Sequence, residues 1–259
     1  MQGSTVRGAL VDIGTMTEEE AIALFVKSAK INLPDQTSDE WAELREIACQ
    51  LLGSYPLAIA QGASYLRLGY MGEISVLSKL QRYKKQHASH EVAILKAEDG
   101  MKVREYGRSV ITTWDMSFEV IVSNNPAAAG LLLLFGFFHH SVITADLFLR
   151  AFERRHRMLQ ADGIDLAEPT FSWLGRLLEP TSNGSWDREF HFDVALSLLL
   201  SYSPIQRTTG GQWNVHPLVH LWTVIGKQHP RLSVVEDRAR LALSMLGGMH
   251  DSAADSASI

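Results

Sequence analysis

The sequence predicts a mainly α-helical fold that ends in one short β-hairpin. Apolar residues recur at three- and four-residue spacing along most of the chain, the period of a helix with one buried face. Capping residues and prolines stand where those segments begin. Strand character is confined to Ala9–Ile13 and to the residues flanking Thr208-Thr209-Gly210-Gly211.

The first helix opens at Thr17. Thr17-Glu18-Glu19-Glu20 is a capping box, in which the Thr hydroxyl accepts from the backbone three residues on and Glu20 reaches back. Three acids in the first turn suit the positive end of the helix dipole. Ile22, Phe25, Val26 and Ala29 follow at helical spacing, and Leu33-Pro34 ends the element. Ahead of it, Ala9-Leu10-Val11-Asp12-Ile13 reads as a short strand with no partner strand of its own, which is what a truncated sheet would leave. The second helix begins at Ser38 or Asp39, keeps Trp41, Leu44, Ile47, Ala48, Leu51 and Leu52 on one face, and stops at Gly53. Pro56 opens the third, Leu57–Leu68, because a first-position proline sacrifices no intrahelical bond. Its residues are small and apolar nearly all round, as in a helix enclosed by neighbours. A fourth, more polar helix spans Glu73–Gln86, with Gln81–Lys85 as its solvated end, and residues 87–105 read as a connector.

In the second half, Ile111, Trp114, Phe118, Ile121 and Val122 mark a long helix that Asn124-Asn125-Pro126 breaks. Pro126 starts the apolar run Ala127–Phe138, and Thr144 caps a helix Ala145–Arg154. Helices near Phe171–Leu178 and Val194–Leu200 follow. Pro204–Arg207 and Gln212–Val215 then flank a glycine-containing turn, the pattern of a hairpin. Pro217 opens a helix Leu218–Lys227, Val234–Leu246 forms a last one, and Met249–Ile259 is small, polar and expected to fray. Helices leading into a hairpin and one further helix are how a winged-helix domain looks in sequence. The expected architecture is thus a four-helix subdomain followed by a winged-helix-like subdomain.

Composition narrows the function classes. The 259 residues are 46% hydrophobic and 20% charged, enough apolar content for a sizeable core. A net charge of −5 argues against a protein built to neutralise nucleic-acid phosphates. The single cysteine, Cys49, cannot form an internal disulfide, so a reducing, cytoplasmic setting is expected. Met1–Asp12 has no apolar segment of signal-peptide length. Ala127–Phe138 falls short of the about 20 residues that a membrane span needs, so it is expected to be a buried helix, and no membrane partner is expected.

Catalytic motifs are missing from the sequence. It contains no G-x-x-x-x-G-K-[ST] or G-x-G-x-x-G loop to cradle phosphates and no G-x-S-x-G elbow. Cys49 falls mid-helix and is expected to be buried and inert. His216 and His220 would share one helical face, but Pro217, Leu218 and Val219 between them offer neither a third ligand nor a glutamate. No metal site is expected. His139-His140 follow an apolar helix and are expected to cap its C-terminus. The acid pairs Asp162/Asp165 and Glu189/Asp193 read as solvated. No catalytic residue is assigned, and the chain is not expected to be an enzyme.

Several segments, taken in order, nonetheless resemble one family. Gly53-Ser54-Tyr55-Pro56-Leu57-Ala58 and the small-residue helix after it resemble the "GLPL" segment of the NB-ARC (STAND) NTPases, especially the fungal NLR-like ones. Thr17–Ala21 with Leu24-Phe25 is similar to the start of that family's helical subdomain. Ser109–Glu119 (SVITTWDMSFE) resembles its "SV-x-T-T-W-x-x-S-F-E" linker, and Asn125–Ala129 the first winged-helix element. Ser201-Tyr202-Ser203 and Val215-His216-Pro217-Leu218-Val219-His220 resemble its "S-F-S-L-I" and "M-H-R-L-V-Q" forms, the latter a variant of the MHD motif. The likeness spans residues 10 to 228. It departs from the family at Val215, where relatives carry Met, and at Pro217, where they carry Asp or Arg.

The resemblance implies a division into a nucleotide-domain remnant (1–16), a helical ARC-like subdomain (17–87), a connector (88–108), a winged-helix-like subdomain (109–228), the start of a further helical region (229–247) and a disordered tail (248–259). It implies that Pro56, with Leu57 beside it, packs on the adenine of ADP, and that His216 contacts the β-phosphate. The P-loop lysine, the Walker B acid and the sensor arginine of the family would precede Met1. ADP or ATP is therefore expected as cofactor only together with a P-loop NTPase domain, in cis or in trans, and tight binding to this chain alone is not expected. A C-terminal repeat array is the other partner the resemblance suggests. The function expected is the regulatory part of an ADP/ATP-dependent signalling switch. The alternatives are a stand-alone helical interaction module and, third, a winged-helix DNA binder, which the acidic charge disfavours.

Overall fold

The computed structural model describes residues 15–32, 34–69, 74–97, 105–138, 143–168 and 170–217, together with Val219, Trp222, Leu241, Ala242, Ser244 and Met245. Within these the protein is mainly helical with a small two-stranded antiparallel sheet. The strand expected at Ala9–Ile13, most of the helices expected over 218–227 and over Val234–Leu246, the tail and the His139-His140 pair lie outside the described residues.

Helix α1 (Glu18–Ala29) begins as its capping box requires. The Glu20 N–H donates to Thr17 Oγ1 at 3.3 Å, and the Thr17 N–H donates to Glu20 Oε2 at 2.9 Å. It ends at Lys30 in the left-handed region (φ 55°), ahead of Leu33-Pro34. Ala21, Ile22, Phe25 and Ala29 are buried, and the helix packs mainly on the helix Pro56–Gly69. Helix α2 (Asp39–Arg45) is capped by Ser38, whose hydroxyl accepts the Trp41 N–H at 3.2 Å. The sequence suggested one α-helix running to Leu52. Instead the chain widens into a π-helical turn over Glu46–Leu51, where the Leu52 N–H reaches back to the Ile47 carbonyl at 2.9 Å. The wider turn brings Ile47 and Leu52 to the same side, and both are fully buried.

Helix α3 (Pro56–Gly69) is enclosed as its composition indicated, with Ala58, Ile59 and every residue from Gln61 to Leu66 buried. A β-carbon at Gly62 would lie 2.6 Å from the Tyr83 hydroxyl, so this glycine sets how closely α3 approaches α4. Helix α4 (Val76–Ala97) corrects the reading of its own span. It runs past Gln86 through the first part of the expected 87–105 connector. Leu80, Tyr83, His87 and His90 continue a three-four-three spacing, but the later positions are filled by imidazoles, so a count of apolar residues loses the helix there.

Helix α5 (Glu105–Asn124) is the centre of the molecule. It packs against α3, α4, α6 and α9, and every residue from Ser109 to Phe118 is buried. Asn125 caps α6 (Pro126–Phe135) by accepting the Ala128 N–H at 3.0 Å. All of α6 from Ala127 onward is buried, and it ends three residues before Phe138, where the expected helix closed. Helix α7 (Ala145–Asp162) extends well beyond Arg154 to a left-handed Gly163, and the Thr144 at its start makes no side-chain capping bond. Helix α8 (Ser172–Leu177), a π-helical turn over Arg188–Phe192 and α9 (Asp193–Tyr202) follow.

Strands β1 (Ile205–Arg207) and β2 (Trp213–Val215) form the expected hairpin, with Ile205 opposite Val215 and Arg207 opposite Trp213. Ile143 pairs with the other edge of Trp213 through two backbone bonds of 2.8 and 3.1 Å. Under this small sheet the rings of Phe148, Phe192, Trp186 and Trp213 meet, with centroids 4.6 to 5.8 Å apart.

Candidate functional site

Pro56 and Leu57 sit at the mouth of a tight turn. Gly53 (φ 61°) and Ser54 (φ 55°) are both left-handed, a conformation a serine adopts only when its surroundings hold it there. The Ser54 N–H donates to the Ala48 carbonyl at 3.0 Å, and the Ser54 carbonyl accepts the Met16 N–H at 3.1 Å. The turn thus leaves Pro56 exposed as the first residue of α3, while Leu57 is half-buried against the core.

His216 directly follows β2. Its carbonyl accepts the Val219 N–H at 2.8 Å, and its own N–H faces the Pro204 carbonyl at 3.4 Å. The half-buried imidazole meets the Trp114 ring edge-on, 5.8 Å between centroids. Burial lowers its pKa below the ordinary histidine value. Four residues after Trp114, Phe118 meets Trp222 in the same edge-on manner at 5.0 Å. The SVITTWDMSFE segment of α5 is therefore the surface against which the His216 segment rests.

The same helix touches the Pro56 turn. The Ser109 hydroxyl donates to the Leu51 carbonyl at 3.2 Å, and Trp114 stands about 7.5 Å further along the axis at 1.5 Å per residue. The structure thus brings His216 onto α5, and Pro56 and Leu57 begin α3, which packs on the same helix.

Sequence reading missed a buried polar group between α4 and α5. His90 Nδ1 lies 2.6 Å from Asp115 Oδ2, and its Nε2 lies 3.6 Å from Glu119 Oε2. Burial opposes protonation of His90, but the hydrogen bond to Asp115 and the charges of Asp115 and Glu119 outweigh it and raise the pKa. One turn away, His87 is 1% exposed. Burial first, then the neighbouring His90, push it down to about 4, and the Ser109 backbone offsets only part of this. Tyr83 is fully buried, its hydroxyl 3.4 Å from Thr113 Oγ1, and burial pushes its phenol well above the ordinary range. The sequence reading ended this helix at Gln86, so neither His87 and His90 nor their neighbours on α5 were singled out from it.

Three of the acids read as solvated also make exposed hydrogen bonds or an exposed ion pair. Asp162 accepts from the Ser244 hydroxyl at 2.6 Å, and Asp193 pairs with Arg188 at 3.1 Å. Asp165 accepts the Ala167 N–H at 2.8 Å. Cys49 is half-buried, and burial is the main cause of its raised thiol pKa. Among the described residues no group of three or more His, Cys, Asp or Glu is placed to hold a metal ion, and no helix is long and apolar enough to cross a membrane.

Comparison with known proteins finds no match: no family model, curated protein or solved structure resembles this chain significantly.

Proposed function

We propose that this chain is the helical and winged-helix portion of a nucleotide-dependent signalling switch of NB-ARC type, which closes over an ADP held mainly by a P-loop NTPase domain. The observation that carries the reading is the packing of His216 on Trp114. The two segments that most resemble the family's MHD and linker motifs, about a hundred residues apart in sequence, meet face to edge. A switch needs such a contact, because a phosphate-sensing histidine transmits a signal only if it leans on an element that a second arrangement would displace.

The order of elements supports the winged-helix part of the proposal. Helix α6, the minimal strand at Ile143, helices α7 to α9 and then the β1–β2 hairpin follow one another, and Trp213 pairs with both Ile143 and Arg207. Helix, strand, helices and hairpin, with the last strand in the middle, is the winged-helix order. Pro56 offers an exposed apolar ring for a base, and His216 a half-buried imidazole for a phosphate. The P-loop domain, in cis or in trans, supplies the amide cradle and lysine on which most phosphate affinity rests.

The test is to isolate the native protein from its source cells with an antibody to residues 17–217 and to assay released nucleotide. A species well above 28.8 kDa, or a co-purifying P-loop protein, that carries ADP and loses it on His216→Ala is the expected result. A species of 28.8 kDa with neither nucleotide nor P-loop partner overturns the proposal. The isolated chain is expected to bind ADP no more tightly than millimolar, so micromolar binding by calorimetry would overturn the division of labour between the domains.

A further inference from the structure

Phe190 and Val194 are 73% and 53% exposed, and they stand four positions apart, so they lie on neighbouring turns of one surface. Neither sits on a loose loop. Between them Phe192 is fully buried against Phe148 and Trp186, at 4.6 and 5.2 Å. The Trp186 indole N–H donates to the Leu177 carbonyl at 2.8 Å, and the Asp187 carboxylate accepts the Phe190 N–H at 3.4 Å. His191 is held by Glu179 at 3.1 Å. A large aromatic ring is thus kept in water by a segment anchored at Trp186, Asp187, His191 and Phe192, and such preorganised apolar surface is what recognition sites display.

This surface borders a cavity of about 290 Å³ between the start of α6 and Arg176 of α8. That volume is at the small end of ligand pockets, about 300 Å³ and upward, and has room for a side chain rather than a whole cofactor. Among the described residues no carboxylate lines it. Arg176 is exposed and makes no ion pair among the described residues, so its guanidinium is available at the cavity wall. The wall therefore offers a cation at Arg176 and apolar surface at Phe190 and Val194, with Asn124, Asn125 and His191 as its further polar residues.

We propose that this cavity and the Phe190–Val194 surface bind a short segment of a partner protein that carries an aspartate or glutamate beside an aromatic or aliphatic side chain. The carboxylate pairs with Arg176, whose planar fork suits two parallel hydrogen bonds, and the apolar side chain covers Phe190 and Val194. A nucleic acid fits less well, because one unpaired cation in a chain of net charge −5 supplies little phosphate neutralisation, and the two apolar residues would find no counterpart. The inference is independent of nucleotide binding and of the P-loop partner.

The experiment selects peptides from a random displayed library on the full chain. Recovered sequences are resynthesised with a fluorophore, and their anisotropy is followed against the wild type and the variants Arg176→Gln, Arg176→Lys and Phe190→Ser. These residues are exposed, and unchanged circular-dichroism melting curves verify that each variant folds. The expected result is enrichment of sequences with an acid next to an aromatic or aliphatic residue. Affinity is expected to fall at least about tenfold with Arg176→Gln and with Phe190→Ser, and to a lesser degree with Arg176→Lys, which keeps charge but loses the fork. Enriched peptides without acids, equal binding to all variants, or no enrichment overturns the proposal. So does binding of a labelled oligothymidylate that Arg176→Gln abolishes while no peptide is enriched, which would reassign the surface to nucleic acid.

Discussion

The two ends of the molecule are packed with different materials. From α6 to the hairpin the core is apolar: Phe135, Phe148, Phe192, Trp213 and a run of leucines, and apart from the Tyr202 phenol and the indole nitrogens no buried polar or charged side chain lies among the described residues beyond position 117. From α3 to α5 the core is threaded with polar groups, since Gln61, Ser64, His87, Ser109, Thr112, Thr113, Asp115 and Ser117 are all buried. An apolar core gains from area and dispersion and is indifferent to pH. A polar seam ties packing to register where its groups are paired, as His90 is with Asp115, and it carries a cost where they are not, as at the buried Gln61 amide, which has no hydrogen-bond partner among the described residues. The half that carries the SVITTWDMSFE segment is thus the half whose packing depends on solution conditions.

The largest expected effect breaks the apolar half. Phe192→Ala removes the ring at the centre of the aromatic cluster and is expected to cost about 3–5 kcal/mol in urea unfolding. The loss should be the same at pH 5 and pH 8.

Acid should act on the other half. Folded His87, its pKa pushed down to about 4, holds a proton less readily than the unfolded chain does. Its neutral burial therefore stabilises the fold fully above about pH 6.5, and that stabilisation is lost as pH falls through 4, by roughly 3 kcal/mol. Denaturant midpoints measured from pH 7 to 4 should show this fall, and His87→Phe should flatten it. An unchanged slope in that variant would mean that another group carries the acid response.

His90 has the opposite sign. Its pKa is raised in the folded state, so its pairing with Asp115 stabilises the protein below the unfolded value of about 6.5 and fades as pH rises through the folded one. Asp115→Asn, which keeps the shape but removes the charge, is expected to cost about 2 kcal/mol at pH 6 and less at pH 9. Equal costs at both pH values would show the contact to be a neutral hydrogen bond.

The smallest effect lies outside both cores. Thr17→Ala removes the α1 cap and should cost about 1 kcal/mol, independent of pH between 6 and 9, as a thermal melt of the variant would show.

Legibility followed chemistry of the same kind. Helix starts at Thr17, Ser38, Pro56 and Asn125 were readable because capping is local: donor, acceptor and helix lie within three residues of one another. The hairpin was readable because its turn residues are. The extent of α4 was not, since His87 and His90 occupy positions on its inner face where a count of apolar residues stops, and the partners of His90, Asp115 and Glu119, lie on another helix. The π-helical turns at Glu46–Leu51 and Arg188–Phe192 were not readable either, because what they achieve is the alignment of Leu52 and Phe192 with distant neighbours. At the candidate site, Pro56, Leu57 and His216 were singled out from sequence, whereas Trp114 as the surface under His216 emerged only from the fold. Phe190 had no sequence signal at all, since a phenylalanine at helical spacing reads as core until the neighbouring Phe192 is seen to occupy that place.

By itself the sequence determined the mainly helical class, most helix starts, the position of the hairpin and which helix would be enclosed on all sides. These are consequences of local propensity, capping and apolar period, and they act within a few residues. Tertiary structure alone decided that α5 stands at the centre, that its polar residues meet two histidines of α4, that Trp114 carries His216, and that Phe190 stays in water beside Arg176. Those outcomes depend on the partners that burial brings together. A buried histidine is tolerable or ruinous according to the side chain opposite it, and that side chain is set by packing, not by its neighbours in the chain.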